Sequence, residues 1–558
     1  MSTTVVALSQ YLFVAAVLAV IHVPLGTYMA RVVTSARHLA PERLIYRVAG
    51  IDPDGEQSAS AYIRAVLAFS LLSVLALYGL QRLQGVLPLA SGMGGVEPGI
   101  AFNTAFSFVT NTNWQAYTPE QTLGHLVQAL GLTVQNVVSA AVGIAVAVAL
   151  VRGFSRERSA TIGNFWVDLV RISGRILIPG ALLIALALLL LGVQQNLHEM
   201  QTVTGAAGSP VHVPGGLVAS QEAIKEFGTN GGGFYNANSS HPFENPNAWS
   251  NLVEVLAMLA IPFSLPWTLG AMVGDRRQGM TILAVMASLF TAVYALFTFF
   301  ELRGHGTAPQ LAGAALEGKE LRFGADGTTL FGTTSTGTST GAVNAMHDSL
   351  TAHGGMMTLI NMQLGEIAPG GVGSGLYGLL VLAIITVFIS GLMIGRTPEY
   401  MGKRIGPREM KLATLFILVM PLTVLAGTAL SFALPGSRES AIGSMNNPGG
   451  HGLSEILYAY TSGANNNGSA FAGLDASTAW FTITIGLAMA LGRFLPIICA
   501  LALAGSLAEQ KRLPATVGTL PTHGIQFTVL LAGVTVIISL LTFLPVLALG
   551  PIAEGFLA

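Results

Sequence analysis

Charged side chains are scarce in this sequence. Asp, Glu, Lys and Arg make up 9% of the 558 residues, whereas 52% are hydrophobic and the mean hydropathy is +0.63. A soluble globular protein carries about 25% charged residues. The composition therefore excludes that class and predicts an all-α polytopic membrane protein, since helices satisfy their own backbone groups inside a bilayer. The formal net charge of -1 also argues against a nucleic-acid partner.

Cysteine is almost absent as well. The single one, Cys499, lies in an apolar segment, so we expect no intrachain disulfide and no thiolate metal site. We interpret Cys499 as a packing residue.

Two motifs of ATP-hydrolysing proteins are also missing. The sequence contains neither a DKTG phosphorylation motif nor a G-x-x-x-x-G-K-[ST] loop, and the arginine-rich segments between its apolar stretches are too short for a nucleotide-binding domain. A chain of this kind that serves active transport must take its energy from a partner or from an ion gradient. We expect no cofactor.

Ten apolar windows of about 20 residues predict ten transmembrane helices. The first window lacks a basic n-region and continues into an arginine-bearing loop, so we interpret it as a retained span and not as a cleaved signal. The predicted spans are residues 4–27, 62–82, 124–151, 175–195, 250–273, 279–300, 374–395, 411–434, 479–505 and 525–549.

The loops between these spans alternate in basic charge. One set of alternate loops carries 16 of the 26 Lys and Arg residues, and the other set carries 5. Positive residues concentrate on the cytoplasmic side of a membrane protein. The pattern predicts that the arginine-rich loops are cytoplasmic and that both termini are extracytoplasmic.

Four outer loops rich in Gly, Ser, Thr and Asn resemble one another, and each lies between two spans. They lie at residues 102–115, 222–236, 332–348 and 455–473. Such an internal repeat predicts four span–pore-loop–span units around one pore, with one flanking helix at each end. We place the units at residues 61–152, 153–273, 274–405 and 406–510, which leaves 1–60 and 511–558 for the flanking helices. The alternative for any single loop is a flexible extracytoplasmic segment.

A polar tripeptide recurs in these loops. Three copies end in glycine, which lets the backbone turn its carbonyls inward without a side-chain clash, and one copy ends in asparagine. Rings of backbone carbonyls can replace the water around a cation. No carboxylate stands at these positions, which favours K+ over a divalent ion, although composition alone does not exclude Na+. The predicted ion-binding residues are Asn111, Thr112, Asn113; Thr229, Asn230, Gly231; Ser339, Thr340, Gly341; and Asn466, Asn467, Gly468.

Four segments of the chain carry a resemblance to a known family. They resemble the potassium-binding A subunit of the bacterial Kdp K+-transporting P-type ATPase, of the superfamily of K+ transporters built from four such repeats. The likeness covers essentially the whole chain. It implies that this subunit is not itself an enzyme and that it selects external K+ at the bacterial inner membrane. It also implies a P-type ATPase subunit that hydrolyses ATP and two small single-span subunits as partners. The segments are residues 228–247, 341–357, 370–378 and 461–473.

Two charged residues stand inside predicted spans. Arg493 interrupts the ninth span, and an unpaired arginine at mid-bilayer costs a few kcal/mol or more. Glu366 lies in a glycine-rich break, whose backbone needs a water-filled cavity. The resemblance places both near the ion path below the filter, where we expect a gate that diverts K+ sideways. The alternative is a structural ion pair. The resemblance also implies that Gln115, beside the first tripeptide, influences K+ affinity, with a loop amide as the alternative.

Other interpretations compete with the pump subunit. The nearest is a stand-alone K+ channel or ion-coupled symporter of the same superfamily, and co-purification of an ATPase would separate the two. An intramembrane hydrolase is the second, because residues 337–341 match G-x-S-x-G with Ser339 as nucleophile and His347, Asp348 or Glu366 as its partner. The segment lacks the strand–turn–helix setting of that motif. A pure assembly scaffold would not need four pore loops.

A metal site is a further alternative. His241, Glu244, His347 and Asp348 are possible ligands, but they belong to different loops and show no regular ligand spacing. We expect these side chains to brace the outer mouth of the pore by hydrogen bonds.

Overall fold

The computed structural model describes residues 3–198, 201–205, 207–303, 315–393, 395–514 and 519–557. In this part of the chain ten helices are long and apolar enough to cross a membrane. The predicted all-α class and the number of spans are therefore confirmed. Several crossings are longer than predicted: the first helix runs to Thr34, and the last apolar segment runs to Phe556.

In the first flanking helix and the first repeat, one crossing is irregular. A π-helical turn, Val127–Thr133, opens the second crossing of the repeat. The short helix before the first tripeptide begins at Pro98, and the Glu97 carboxylate caps it by accepting a hydrogen bond from Ile100 N at 2.9 Å. The helices are α1 (Thr3–Thr34), α2 (Ala40–Ala49), α3 (Ala59–Leu83), α4 (Pro98–Val109), α5 (Pro119–Thr122) and α6 (Val134–Ser155).

The second repeat includes a small antiparallel hairpin that the sequence did not predict. Its strands are β1 (Gln201–Thr204) and β2 (Pro210–Val213). The first crossing is divided by a π-helical turn, Ser173–Leu177. The helices are α7 (Phe165–Ile172), α8 (Ile178–Leu190), α9 (Val218–Phe227) and α10 (Ala248–Val273).

The third repeat contains the predicted break. Its second half consists of two helices separated by residues 364–373, which hold Glu366 and three glycines with positive φ. A two-residue strand pair follows, β3 (Glu399–Tyr400) with β4 (Lys403–Arg404). The helices are α11 (Arg276–Leu302), α12 (Gly324–Gly337), α13 (Ala352–Gln363) and α14 (Ser374–Met393).

The fourth repeat and the last crossing complete the bundle. The final crossing continues through a π-helical turn, Ala548–Ile552, into a short terminal helix. The helices are α15 (Pro407–Ala433), α16 (Pro435–Ser444), α17 (Gly449–Asn465), α18 (Ala479–Glu509), α19 (Ile525–Leu547) and α20 (Ala553–Leu557).

The second crossing of each repeat lies toward the centre of the bundle. In the most apolar stretch of α6 and its π turn, 89% of the residues are buried, compared with 11% in α1. The flanking helix α1 packs outside α10, where Thr268 Oγ1 donates a hydrogen bond to Gly26 O at 3.0 Å. Four short helices, α4, α9, α12 and α17, each pack against the first crossing of their own repeat, and we call them the pore helices.

Candidate ion-binding site

Each pore helix ends one or two residues before one of the predicted tripeptides. The helices α4, α9 and α12 end at Val109, Phe227 and Gly337, and α17 ends at Asn465. The last turn of a helix presents unpaired carbonyl groups and a partial negative charge. All four pore helices therefore direct negative potential toward the residues that follow them.

The backbone of the four tripeptides has one shared conformation. The first and third residues have positive φ, and the residue between them does not. Non-glycine residues rarely adopt this region, and each such position costs of order 1–3 kcal/mol. The φ angles are 66° and 56° at Asn111 and Asn113, 46° and 74° at Thr229 and Gly231, 59° and 77° at Ser339 and Gly341, and 60° and 106° at Asn466 and Gly468.

In three of the tripeptides the third position lies against the middle carbonyl of the next loop. A Cβ atom added to Gly231 would lie 1.7 Å from Thr340 O. The same atom would lie 2.1 Å from Asn467 O at Gly341 and 2.0 Å from Thr112 O at Gly468. Only glycine allows these three approaches. The contacts run from loop two to three, from three to four and from four to one.

Asn113 closes the ring between the first loop and the second. Its Nδ2 donates to Gly231 O at 3.0 Å and to Asn136 Oδ1 at 2.9 Å. Asparagine tolerates the left-handed region better than most residues, so the fourth position keeps the shared conformation without glycine.

Side chains at the first positions also join neighbouring loops. Asn111 Nδ2 donates to Thr229 O at 2.7 Å. Ser339 Oγ donates to Asn466 O at 3.0 Å, and Asn466 Nδ2 donates to Thr112 Oγ1 at 3.0 Å. The twelve predicted residues therefore come together in one closed ring of four loops.

Gln115 binds the second loop just beyond the tripeptide. Its Oε1 accepts from Gly233 N at 2.9 Å, and its Nε2 donates to Gly233 O at 3.1 Å. This pair fixes the glycine-rich turn after Gly231. Gln115 thus lies next to the ring and is hydrogen-bonded to the second loop.

Glu366 and Arg493 have different hydrogen-bond partners. Glu366 Oε1 accepts from Asn467 Nδ2 at 2.8 Å, while Glu366 Oε2 has no partner. Arg493 donates to Ser139 O at 3.2 Å. Among the described residues no ion pair of 4.0 Å or less joins Glu366 to Arg493.

A cavity of about 110 Å³ lies beside the break in the third repeat. Arg493, Asn465 and Asn466 line it, together with Gly365 and Ile367 on either side of Glu366. The cavity continues sideways between α15 and α19, where Phe416, Pro421, Ile538 and Thr542 line it.

The four candidate metal ligands do not form one cluster. Glu244 binds Lys225 Nζ at 2.7 Å, and the His241 ring stacks on Tyr235 at a centroid distance of 3.9 Å. His347 Nδ1 lies 3.0 Å from Tyr458 Oη. Burial, with a smaller effect of Lys319, lowers the pKa of His347 to about 4. This histidine is therefore neutral at physiological pH.

Asp348 of the third loop contacts a histidine of the fourth pore helix. It lies 3.0 Å from His451 Nε2, and Glu554 lies 2.8 Å from His451 Nδ1. Hydrogen bonds to these two carboxylates raise the pKa of His451 to about 10. His451 thus joins the start of α17 to the third loop and to α20.

The geometry does not support a serine nucleophile. Ser339 Oγ donates to two carbonyl oxygens, Asn465 O at 3.1 Å and Asn466 O at 3.0 Å. In the described part of the chain no histidine is hydrogen-bonded to Ser339. The serine lies at the end of a helix and supports the ring.

A buried charged cluster behind the second loop was not predicted. Lys225 lies among the carboxylates of Glu222, Glu226 and Glu244, and Glu254 of α10 adjoins them. The signal was present in the sequence, because three charges within five residues precede the glycine-rich loop. The rest of the cluster is hard to recognise in the sequence, because Glu244 and Glu254 lie 18 or more positions further along the chain.

Comparisons with known proteins identify the family of the chain. A model of the family described as "Potassium-transporting ATPase A subunit" matches residues 12–556. The potassium-transporting ATPase potassium-binding subunit of Clavibacter michiganensis subsp. michiganensis is 63% identical over 553 residues, 99% of each chain. The protein of that name from Cutibacterium acnes is 60% identical over 533 residues, 96% of each chain, and the one from Mycobacterium avium is 59% identical over 558 residues, 100% of each.

A solved structure shares the fold. The potassium transporter TrkH from Vibrio parahaemolyticus superposes with a TM-score of 0.52 at 15% sequence identity, covering 89% of this chain and 96% of that one. The resemblance noted in the sequence is confirmed: the chain belongs to the family of the potassium-transporting ATPase A subunit.

Proposed function

We propose that this chain is the potassium-binding, non-catalytic subunit of an ATP-driven K+ importer. The observation that carries the proposal is the closed ring of four loops at the ends of four pore helices. The relatives at 59–63% identity are named as potassium-binding subunits of a K+-transporting ATPase. The sequence carries no motif for ATP hydrolysis, so the energy comes from a partner P-type ATPase subunit.

The ring binds K+ through backbone carbonyl groups of the four tripeptides. The alternation of positive and other φ values in each tripeptide turns successive carbonyls toward one side. Carbonyl dipoles and the negative ends of the pore helices replace the hydration of a monovalent cation. The tripeptides contain no carboxylate, so the field suits K+ better than a divalent ion. Gln115 tunes the affinity by holding the turn after Gly231.

Arg493 and the cavity beside Glu366 form the path below the ring. An arginine there places a positive charge in the way of a cation, which blocks passive flow toward the cytoplasm. The sideways extension of the cavity between α15 and α19 supports delivery of K+ to the ATPase subunit. Glu366 acts mainly through Asn467, as a support for the fourth loop.

The complex lies in the bacterial inner membrane with both termini of this chain outside. The distribution of Lys and Arg between alternate loops supports this orientation. The partners are the ATPase subunit, two small single-span subunits and the lipid bilayer. A stand-alone channel or symporter is the second candidate, because the TrkH fold is shared. Co-purification without any ATPase subunit would favour that candidate.

The test of the ring is K+ and Rb+ uptake by the complex carrying Gly231→Asp. A side chain at this position meets Thr340 O, and a carboxylate adds a negative charge. We expect a higher apparent KM for K+ and weaker discrimination against Rb+. The matched control is Gly92→Asp, since Gly92 also has positive φ (76°) but has no atom within 4 Å of an added Cβ.

Two results of this test decide the role of Gly231. Co-purification of the complex first establishes that the variant assembles. Assembled Gly231→Asp complex with wild-type uptake of both ions would remove Gly231 from the ion-binding ring. A defect of equal size in Gly92→Asp would show that the effect is not specific to the ring.

Arg493→Gln tests the gate. Removing the positive charge lowers the barrier to passive K+ flow, so we expect a measurable K+ leak in proteoliposomes, reduced ATP-coupled uptake, or both. Gln keeps a donor for Ser139 O, which limits the structural change. If Arg493→Gln changes neither the passive K+ leak nor the ATP-coupled uptake, Arg493 is not a gate.

A further inference from the structure

Four glutamates and one lysine lie together behind the second pore loop. Lys225 is fully buried, and so are the glutamate side chains around it. Three of the glutamates belong to the pore-loop segment and one to the spanning helix α10. The members of this group, which we call the glutamate cluster, are Glu222, Lys225, Glu226, Glu244 and Glu254.

Hydrogen bonds and the lysine satisfy two of the glutamates. Lys225 Nζ lies 2.7 Å from Glu222 Oε2 and 2.7 Å from Glu244 Oε2. Glu222 Oε1 accepts from Ser239 Oγ at 2.8 Å, and Glu244 Oε1 accepts from Tyr235 N at 2.7 Å. All four oxygens of Glu222 and Glu244 therefore have partners.

Glu254 is a separate observation, because it enters the cluster from another helix without any partner. Neither of its carboxylate oxygens has a hydrogen-bond partner, and its side chain is 0% exposed. Glu226 Oε2 is also unpartnered. Three carboxylate oxygens of two glutamates thus remain available in a site that water does not reach from the surface.

The charges of the cluster do not balance. With all four carboxylates ionised, the cluster and its one ammonium group would hold three net negative charges in a buried site, and uncompensated buried charge is costly. One oxygen each from Glu222, Glu226 and Glu254 lies within 4.8 Å of the other two. Calcium–oxygen distances of about 2.3–2.6 Å allow one ion to contact oxygens up to roughly 5 Å apart.

We propose that Glu222, Glu226 and Glu254 bind one hard divalent cation of the size of Ca2+. The unpartnered oxygens of Glu226 and Glu254 supply the main contacts, and a Glu222 oxygen adds one through a lone pair that its hydrogen-bond partner does not use. Such cations prefer carboxylate oxygens, and the ion offsets two of the three negative charges. The ion is a structural one, distinct from the transported K+. It connects the pore helix α9 to α10 and so fixes the position of the second tripeptide.

The test measures metal in the purified transport complex. Cells are grown with Ca2+, and the complex is purified without added metal before elemental analysis by mass spectrometry. The variants are Glu254→Gln, which removes the unpartnered ligand, and Glu120→Gln as a control. Glu120 is a partly buried carboxylate that accepts from Asn236 N at 2.9 Å, outside the cluster. The difference between variants corrects for any metal held by other subunits.

We expect one more equivalent of divalent metal in the wild-type and Glu120→Gln complexes than in Glu254→Gln. Equal metal content in wild type and Glu254→Gln would overturn the proposal. If Glu254→Gln fails to assemble, the wild-type complex decides alone, by elemental analysis as purified and by equilibrium dialysis of the intact complex against 45Ca2+ after prolonged treatment with EDTA. Absence of both co-purified metal and 45Ca2+ binding in the wild-type complex would also overturn it.

Discussion

At the scale of single residues, Glu366 touches the ring through one hydrogen bond. Asn467 Nδ2 donates to its Oε1, and Asn467 O is the carbonyl that faces Gly341 across the ring. The contact needs an acceptor at Glu366 but not a negative charge. Substitutions can therefore distinguish whether Glu366 supports the fourth loop or acts as a charged group in the ion path.

Glu366→Gln and Glu366→Ala form the matching pair of variants. Gln keeps an oxygen acceptor, so we expect an apparent KM for K+ within about twofold of wild type. Ala leaves one N–H of the buried Asn467 amide without an acceptor, although the other N–H still donates to Ser335 O at 3.1 Å. An unmade hydrogen bond of this kind costs about 1–3 kcal/mol and should raise the KM by tenfold or more. K+ uptake by the complex measures both. If Gln is as damaging as Ala, the negative charge itself is required.

The residue scale also shows what the sequence could predict of the site. The glycines at 231, 341 and 468 were identifiable because their repeat marks a backbone constraint that no other residue meets. The partners of Gln115 and Glu366 were not, because a side-chain amide or carboxylate reaches groups more than 100 positions away in the chain. Such contacts depend on the order of the four loops around the ring.

At the scale of elements, His451 holds the start of the fourth pore helix. The histidine lies between Asp348 of the third loop and Glu554 of α20. Its pKa in the folded protein, about 10, lies above the usual value of 6.5. The contribution to stability is therefore complete below pH 6.5, declines as the pH rises, and is lost above about pH 10.

His451→Gln should lower the melting temperature of the complex at pH 7 and have little further effect at pH 10.5. Charge-assisted hydrogen bonds of this kind contribute about 1.5–3 kcal/mol each when formed. Thermal unfolding in detergent at both pH values measures the difference. His523→Gln, at an exposed histidine, is the control. A gap between wild type and His451→Gln that does not change with pH would contradict the proton-linked contact.

The spanning helices were predictable as elements, while their neighbours were not. Windows of apolar residues indicate a crossing because the bilayer requires them. Such windows do not detect α13 (Ala352–Gln363) or α16 (Pro435–Ser444), because both helices are too short to cross a bilayer and are not uniformly apolar. The division into repeats at residues 61, 153, 274 and 406 stays a prediction.

At the scale of the whole molecule, a buried ion pair joins the first two repeats near the arginine-rich loops. Arg152 binds Asp168 through two hydrogen bonds, of 2.6 Å and 2.8 Å. Tyr62 Oη donates to the same carboxylate at 3.0 Å. These contacts connect α6, α7 and α3, so their loss should destabilise the packing between repeats.

Arg152→Met should destabilise the protein by about 3–5 kcal/mol, because it leaves the Asp168 carboxylate buried without its partner. Arg408→Met is the control, since Arg408 pairs with Glu509 at the surface at 3.3 Å and such pairs contribute less than about 1 kcal/mol. Thermal unfolding of the two variants measures the contrast. Equal melting temperatures would mean that solvent reaches Asp168 in the folded protein.

Because one polypeptide supplies all four loops of the ring, the four loops can change in sequence independently during evolution. In a channel made of four identical chains, a codon change alters every quarter of the pore at once. Here each quarter has its own codons, so mutation alters the pore one quarter at a time. Asn113, at a place where the other three loops keep glycine, is such a local departure. Such a chain can therefore evolve through pores in which one loop differs from the other three, whereas a tetramer of identical chains changes all four loops together.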